Sequence, residues 1–130
     1  PVDDEFIHYT EKKIDNIYFT NANIKNVHEV IQMSDVLVLP SRNEAFGMVI
    51  GEAMASKIPV VVSKIDGVTD HILGDERGIL VDYNPSKIAS GIEKALKPGN
   101  DKMILRAYNY ILENCSKSKV DDQYFKLWFL

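Results

Sequence analysis

Short runs of consecutive apolar residues alternate along the chain with stretches whose apolar positions recur every three or four residues. The runs occupy residues 36–39, 58–62 and 78–81. Such runs, bounded by polar residues, are typical of strands buried on both faces, and we predict a strand at each. The stretches with helical spacing are residues 27–33, 47–56, 85–96, 103–112 and 120–130. This alternation predicts an α/β fold with a mostly parallel sheet and helices on both faces.

Three further segments have weaker patterns. Residues 3–13 mix apolar and charged positions at helical spacing, and we predict a moderately amphipathic helix there. Residues 17–20 predict a short strand, and residues 68–73 a short helical turn.

Length and composition fit one soluble globular domain. The chain has 130 residues, of which 45% are hydrophobic and 26% charged. The formal net charge of −4 argues against a general affinity for nucleic acid, because that affinity needs a basic surface. We therefore expect no nucleic-acid partner.

The cysteine content and the absence of long apolar runs bear on location. Cys115 is the single cysteine, so a disulfide within the chain is excluded and a reducing compartment is favoured. Its helix-like surroundings predict a buried, small apolar side chain. The sequence has no apolar run of the roughly 18 residues that a membrane-spanning helix needs. We expect a cytoplasmic location, and peripheral association with a membrane stays open.

The loop and helix after the first apolar run carry the candidate chemistry. Residues 40–55 follow that run and contain two carboxylates, Glu44 and Glu52, with Gly47 between them. A helix that begins after a strand and a short loop points free amides and a positive dipole end at a phosphate group. Gly47 lets a phosphate approach the backbone because no Cβ intervenes. Arg42 is a candidate counter-charge for the phosphate.

The two acids suit the sugars of a nucleotide sugar. Glu44 lies ahead of the helix, where its carboxylate can accept hydrogen bonds from sugar hydroxyls. Glu52 lies about 7–8 Å further along the helix axis, a distance that suits a ribose on the other side of a diphosphate. We expect both acids to face one hollow. Chance also produces such pairs, but the apolar neighbours of Glu52 favour a ligand, since an unpaired acid among them is costly.

Several motifs of the chain resemble the donor-binding half of family 4 retaining glycosyltransferases. Ser-Asp-Val-Leu-Val-Leu-Pro-Ser at 34–41 and Ile-Pro-Val-Val-Val-Ser at 58–63 flank the family's mark of a Glu, seven residues and a second Glu, which Glu44 and Glu52 match. Residues 67–72 and 78–81 also resemble the family. In all, the resemblance covers about residues 17–97. It implies one of the two Rossmann-like domains of the GT-B architecture.

The resemblance also implies roles for individual residues. Glu44 would be the catalytic acid that contacts the donor sugar, and Glu52 would hold the ribose hydroxyls. Phe46, Gly47 and Met48 would supply the loop and the helix-start amides near the sugar and phosphate. The family uses a nucleotide-diphosphate sugar as substrate and needs neither a metal nor a cofactor.

The resemblance makes the chain part of a larger enzyme. Two early strands of the family's donor domain have no match, and neither does the acceptor-binding domain, so we expect residues 1–130 to be an incomplete Rossmann-like nucleotide-sugar-binding domain. The missing strands would be central in the sheet, and we expect the isolated chain to be inactive. The apolar C-terminal helices, from about residue 101 to 130, would pack on this domain or on the absent one. The acceptor stays open among a glycan, a lipid-linked sugar and a protein.

Two other classes of function remain open. A sugar-nucleotide epimerase shares the architecture but uses further acids and a His in its site, and the sequence gives no position for them. A receiver-like signalling domain, or another non-catalytic phosphate-binding or interaction module, is also parallel α/β. A receiver needs a phosphoacceptor Asp at the end of a strand, whereas Asp35 stands at the start of one.

Overall fold

A computed structural model describes residues 15–18, 26–44, 47–65 and 76–128 of the chain. The strands of this part are β1 (Leu37–Leu39), β2 (Val60–Ser63) and β3 (Ile79–Val81). The helices are α1 (Val27–Gln32), α2 (Met48–Ala55), α3 (Pro85–Leu96), α4 (Asp101–Asn114) and α5 (Lys117–Trp128). The eight helices and strands predicted within this part of the chain are thus confirmed, with small shifts of their ends.

The described strands form one parallel sheet in the order β1-β2-β3. Val61 lies opposite Val38 of β1, and Val62 opposite Leu80 of β3. Parallel neighbours need a crossover between them, and α2 supplies the one from β1 to β2. The Rossmann-like α/β prediction is confirmed. Because the strands are parallel, the loops that follow β1, β2 and β3 lie at the same edge of the sheet.

Alternate side chains of the strands pack into two separate apolar clusters, one on each face of the sheet. Val60 and Val62 share the first cluster with Ile50 of α2 and Ala107 of α4. The second cluster contains Val61, Ile79, Val81 and Ala95 of α3. The continuous apolar runs of the sequence are therefore explained by burial on both faces.

Helix α3 lies against the sheet at a glycine. A Cβ built on Gly91 would stand 2.8 Å from a methyl carbon of Val61 and 2.8 Å from one of Val81. Real Cβ contacts are essentially never that short, so a larger side chain fits at this position only if these valines or the helix shift.

Two predictions about single regions differ from the structure or lie outside it. Ile17 and Tyr18, the described half of the strand predicted at 17–20, are not in a strand, and Tyr18 is 92% exposed. Cys115 is exposed, so the prediction that it is buried is wrong. It is the C-cap residue after α4, two turns beyond the buried Ala107. The helix predicted at 3–13 and the turn at 68–73 lie outside the described residues.

The two C-terminal helices differ in what they contact. Helix α4 packs on α2 and contributes Ala107 to the core, while α5 contacts α4. Both helices begin before the predicted starts at 103 and 120, because the apolar periodicity marks only the packed face of each. Within the described residues, no helix combines the length and the apolar character that crossing a bilayer requires.

Candidate functional site at the start of helix α2

The loop after β1 is anchored by a buried serine of the neighbouring strand. Ser63, the last residue of β2, is 1% exposed, and its hydroxyl lies 2.5 Å from the Ser41 carbonyl oxygen and 3.4 Å from that of Leu39. Because burial keeps water away from the Ser63 hydroxyl, this group donates its hydrogen bond to a carbonyl oxygen of the protein. The sequence interpretation missed this role, although a polar residue that ends an apolar run was a visible signal.

Gly47 turns the chain from this loop into α2. Its φ of 62° and ψ of 51° are left-handed values that glycine adopts without steric cost. A Cβ at this position would meet Ile50 Cδ1 at 2.8 Å and Glu44 Cγ at 3.5 Å. Gly47 thus fits tightly between the helix and Glu44, and the half-buried Glu44 side chain lies beside the helix start.

Within the described residues, the first amides of α2 have no hydrogen-bond acceptor, and here they are called open amides. The amide of Ile50 donates to the Gly47 carbonyl oxygen at 2.8 Å, the first such bond at this end. The amides of Met48 and Val49 precede it, and a glycine N-cap has no side chain to accept from them. The first turn contains no acid either. No side chain in the first turn of α2 therefore compensates the positive end of the helix dipole.

Glu52 is exposed, so the sequence argument that its apolar neighbours make an unpaired acid costly is wrong. The helical period turns its apolar neighbours Ile50, Ala53 and Met54 toward the sheet, while Met48, Glu52 and Ala55 lie on the exposed side. Met48 is 71% exposed. An acidic and an apolar side chain thus stand one turn apart on the open face of α2.

A mostly apolar cavity of about 330 Å³ lies between α2 and α4. Its lining combines residues of both helices and the helix start: Gly47, Met48, Ile50, Gly51, Glu52, Met54, Ala55, Ile111 and Cys115. The structure thus brings Gly47, Met48 and Glu52 of the candidate site to one cavity. Glu44 and Arg42 are not among the residues that line it, so this cavity is not the common hollow expected for the two acids, and that expectation stays a prediction. Ile111 and Cys115 were not predicted, because α4 is distant in sequence.

Arg42, in the loop after β1, lies against an aromatic ring. Its guanidinium carbon is 5.0 Å from the ring centroid of Tyr83, which follows β3 and is half exposed. This distance is that of a cation–π contact. Next to Tyr83, Asp82 accepts a hydrogen bond from Lys64 Nζ at 3.0 Å. The sequence interpretation did not include Tyr83, and Phe46 lies outside the described residues.

The charged residues of the candidate site have no oppositely charged partners among the described residues. Glu44, Glu52 and Arg42 have no ion pair within the part of the chain that the structure describes. In that same part, no three His, Cys, Asp or Glu side chains are grouped so as to hold a metal ion.

Comparison with known proteins identifies the family. The family model for glycosyl transferases group 1 matches residues 6–112. A D-inositol 3-phosphate glycosyltransferase of Corynebacterium diphtheriae is 41% identical over 68 residues, which are 52% of this chain and 16% of that protein. An uncharacterised glycosyltransferase of Methanocaldococcus jannaschii is 33% identical over 102 residues, 78% of this chain and 25% of the relative.

A third relative is the N-acetyl-alpha-D-glucosaminyl L-malate synthase of Bacillus anthracis. It is 29% identical over 107 residues, 80% of this chain and 28% of that protein. The chain thus spans between about a sixth and about a quarter of the length of these relatives. The family model covers more than half of the chain, and the parallel sheet flanked by helices agrees with it. The chain therefore belongs to the glycosyl transferases group 1 and corresponds to the C-terminal, Rossmann-like domain of the GT-B architecture.

Proposed function

We propose that this chain is the donor-binding part of a retaining glycosyltransferase. It would bind a nucleotide-diphosphate sugar while the sugar is transferred to the hydroxyl of an acceptor, which a second domain of the protein would hold. The observation that carries this proposal is the start of α2, where Gly47 leaves the first amides open and Glu44 lies beside them.

The chemistry needs stabilisation of a leaving diphosphate. The bond between the anomeric carbon and the diphosphate oxygen breaks, and its electron pair leaves with the diphosphate. The acceptor oxygen forms the new bond on the same face of the sugar, and its proton passes to the leaving diphosphate oxygen on that face. Negative charge develops on the leaving oxygen, and fixed amides with a helix dipole stabilise such charge without reorganisation.

Each candidate residue has a distinct part in this arrangement. The amides of Met48 and Val49 would donate to the diphosphate, and Arg42 would add a full positive charge at its outer side. Glu44 would accept hydrogen bonds from hydroxyls of the donor sugar, next to the reacting carbon. Glu52 would accept from the ribose hydroxyls. No cofactor or metal enters this account.

Calorimetry on the full-length protein tests the proposal. UDP, GDP and ADP are titrated into the wild type and into the Glu52→Gln variant, which keeps the side-chain shape and removes the charge. We expect one nucleotide to bind best, and the variant to lose about 1.5–3 kcal/mol, the contribution of a charge-assisted hydrogen bond. Glu93→Gln on the exposed side of α3 is the matched control and should leave binding unchanged. Failure of all three nucleotides to bind the wild type would contradict the proposal.

Product analysis separates transfer from epimerisation. The full-length protein is incubated with the nucleotide sugar whose nucleotide binds best, with and without candidate acceptors. Transfer releases the nucleoside diphosphate and consumes the acceptor, whereas an epimerase changes the sugar without an acceptor. If the sugar changes without an acceptor, the protein is an epimerase with the same fold and not a transferase.

A further inference from the structure

Two loops at the carboxyl edge of the sheet touch across the end of β2. One follows β1 and carries Arg42, and the other follows β3 and carries Tyr83. The guanidinium carbon of Arg42 stands 5.0 Å from the Tyr83 ring centroid. This contact connects the loop of the candidate site to the opposite strand of the described sheet.

We propose that Tyr83 is a positioning residue that holds Arg42 for the diphosphate of the donor; this inference rests on the proposed function. An unrestrained arginine side chain samples many rotamers, and ordering it on ligand binding lowers affinity. A ring that already holds the guanidinium reduces that cost before the ligand arrives. The planar cation remains able to donate from its edge, since only its face lies on the ring.

Tyr83 suits this role because both of its chain neighbours are fixed. Asp82 on one side accepts a hydrogen bond from Lys64 Nζ at 3.0 Å. Asn84 on the other side caps α3, with its side-chain oxygen 2.9 Å from the Ser86 amide nitrogen. The ring is thus attached to a segment that is held by both β2 and α3. The Arg42 loop is in turn anchored through Ser41 by Ser63.

Calorimetry of the full-length protein with whichever of UDP, GDP and ADP binds the wild type tests this role. Tyr83→Leu removes the ring face, and we expect affinity to fall about two- to fivefold, as for an exposed cation–π contact. Tyr83→Phe keeps the face and should bind like the wild type. Arg42→Gln should weaken binding roughly tenfold or more, and Tyr83→Leu should add nothing in that background. The nucleoside without phosphates should bind all variants equally.

Another cation–π pair provides the matched control. Lys57 Nζ lies 4.6 Å from the Tyr108 ring centroid, and neither residue lines the candidate site. Tyr108→Leu should leave nucleotide affinity unchanged. The inference is overturned if Tyr83→Leu binds the nucleotide like the wild type, or if Tyr83→Phe binds it as weakly as Tyr83→Leu. It is also overturned if Tyr83→Leu weakens nucleotide binding as much in the Arg42→Gln variant as in the wild type. The proposed function survives each of those results, since it is tested separately by nucleotide binding to the wild type and by the product analysis.

Discussion

Helices α2 and α3 both begin at the carboxyl edge of the same sheet, and they begin in opposite ways. At α3, Asn84 caps the Ser86 amide at 2.9 Å, and Pro85 at the first position has no amide hydrogen to satisfy. At α2, a left-handed Gly47 has no capping side chain, and the amides of Met48 and Val49 have no acceptor among the residues that the structure describes. One helix start satisfies its own donors, and the other leaves them available.

The acids ahead of the two helices repeat the contrast. Asp82, ahead of α3, is paired with Lys64 at 3.0 Å. Glu44, ahead of α2, has no hydrogen bond or ion pair among the described residues. A start that is satisfied within the fold contributes to stability, whereas donors and an acid without partners in the fold are available to a ligand. We therefore propose a structural role for the α3 start and a ligand-binding role for the α2 start.

The largest expected effect comes from Gly47→Ala. The left-handed φ costs a non-glycine residue about 1–2 kcal/mol, and the collision with Ile50 adds the cost of overpacking, typically about 1–3 kcal/mol. We expect a lower unfolding temperature together with strongly reduced nucleotide affinity in the full-length protein, measured by thermal melts and calorimetry.

Two other glycines separate the causes. Gly91→Ala collides with Val61 and Val81 at 2.8 Å but lies in the body of α3, so it should lower stability and spare affinity. Gly99 has a φ of 102° with no atom within 4 Å of a built Cβ, so Gly99→Ala should show the backbone cost alone. If Gly91→Ala and Gly47→Ala lost nucleotide affinity equally, the two helices would not differ in ligand binding.

Glu44→Gln tests the unpaired acid at the α2 start. The variant keeps the shape of the side chain but loses charge-assisted acceptance from the donor sugar, at a cost of about 1.5–3 kcal/mol. We expect the loss in kcat/KM for transfer, with the affinity for the nucleoside diphosphate nearly unchanged, because that ligand has no donor sugar. Asp82→Asn, which removes the paired acid ahead of α3, is the comparison variant. If Glu44→Gln retained full transfer activity, Glu44 would have no part in the reaction.

Removal of the α3 cap should have a smaller effect, mainly on stability. Asn84→Ala leaves the Ser86 amide without its acceptor and should cost about 1 kcal/mol in the free energy of unfolding. Denaturant titration measures that loss, and calorimetry should find the nucleotide affinity lowered by no more than about the two- to fivefold expected for Tyr83→Leu, because Asn84 holds only the segment next to Tyr83. A larger loss of affinity would mean that the α3 start itself takes part in binding.

The contrast between the helix starts was only partly visible in the sequence. Helix α3 was predicted with its observed ends at 85 and 96, because Pro85 favours a first turn and Pro98 with Gly99 stops the helix. The three strands were predicted within two residues, because burial on both faces gives continuous apolar runs. These signals are local, so a single sequence contains them.

What the sequence did not predict depends on contacts between distant residues. Tyr83 meets Arg42, and Ser63 meets Ser41, only because β1, β2 and β3 end at one edge of the sheet. The exposure of Glu52 was misjudged because apolar neighbours in sequence lie on the opposite side of a helix. The cavity beside it depends on α4, about sixty residues later, whose position no local pattern of the chain indicates.

The substitution with the smallest expected effect should raise the stability of the protein and lower its nucleotide affinity. Met48→Glu places a negative charge in the first turn of α2, where it should stabilise the helix by about 0.3–1 kcal/mol through the dipole. The same charge should repel a diphosphate at the open amides, by about 1 kcal/mol per pair of unit charges at close range in water. Denaturant titration and nucleotide calorimetry on one variant measure both, and Met48→Gln controls for the change of side chain.

Lys87→Glu makes the matched change at α3. It places a carboxylate in the first turn of the capped helix, three residues after Asn84, so stability should rise there too. Because we assign no ligand to that start, nucleotide affinity should stay constant. If the α2 start binds the ligand, both variants should gain stability, and only Met48→Glu should lose nucleotide affinity. Equal affinities in both would mean that the open amides of α2 bind no anion, whatever the family of the chain.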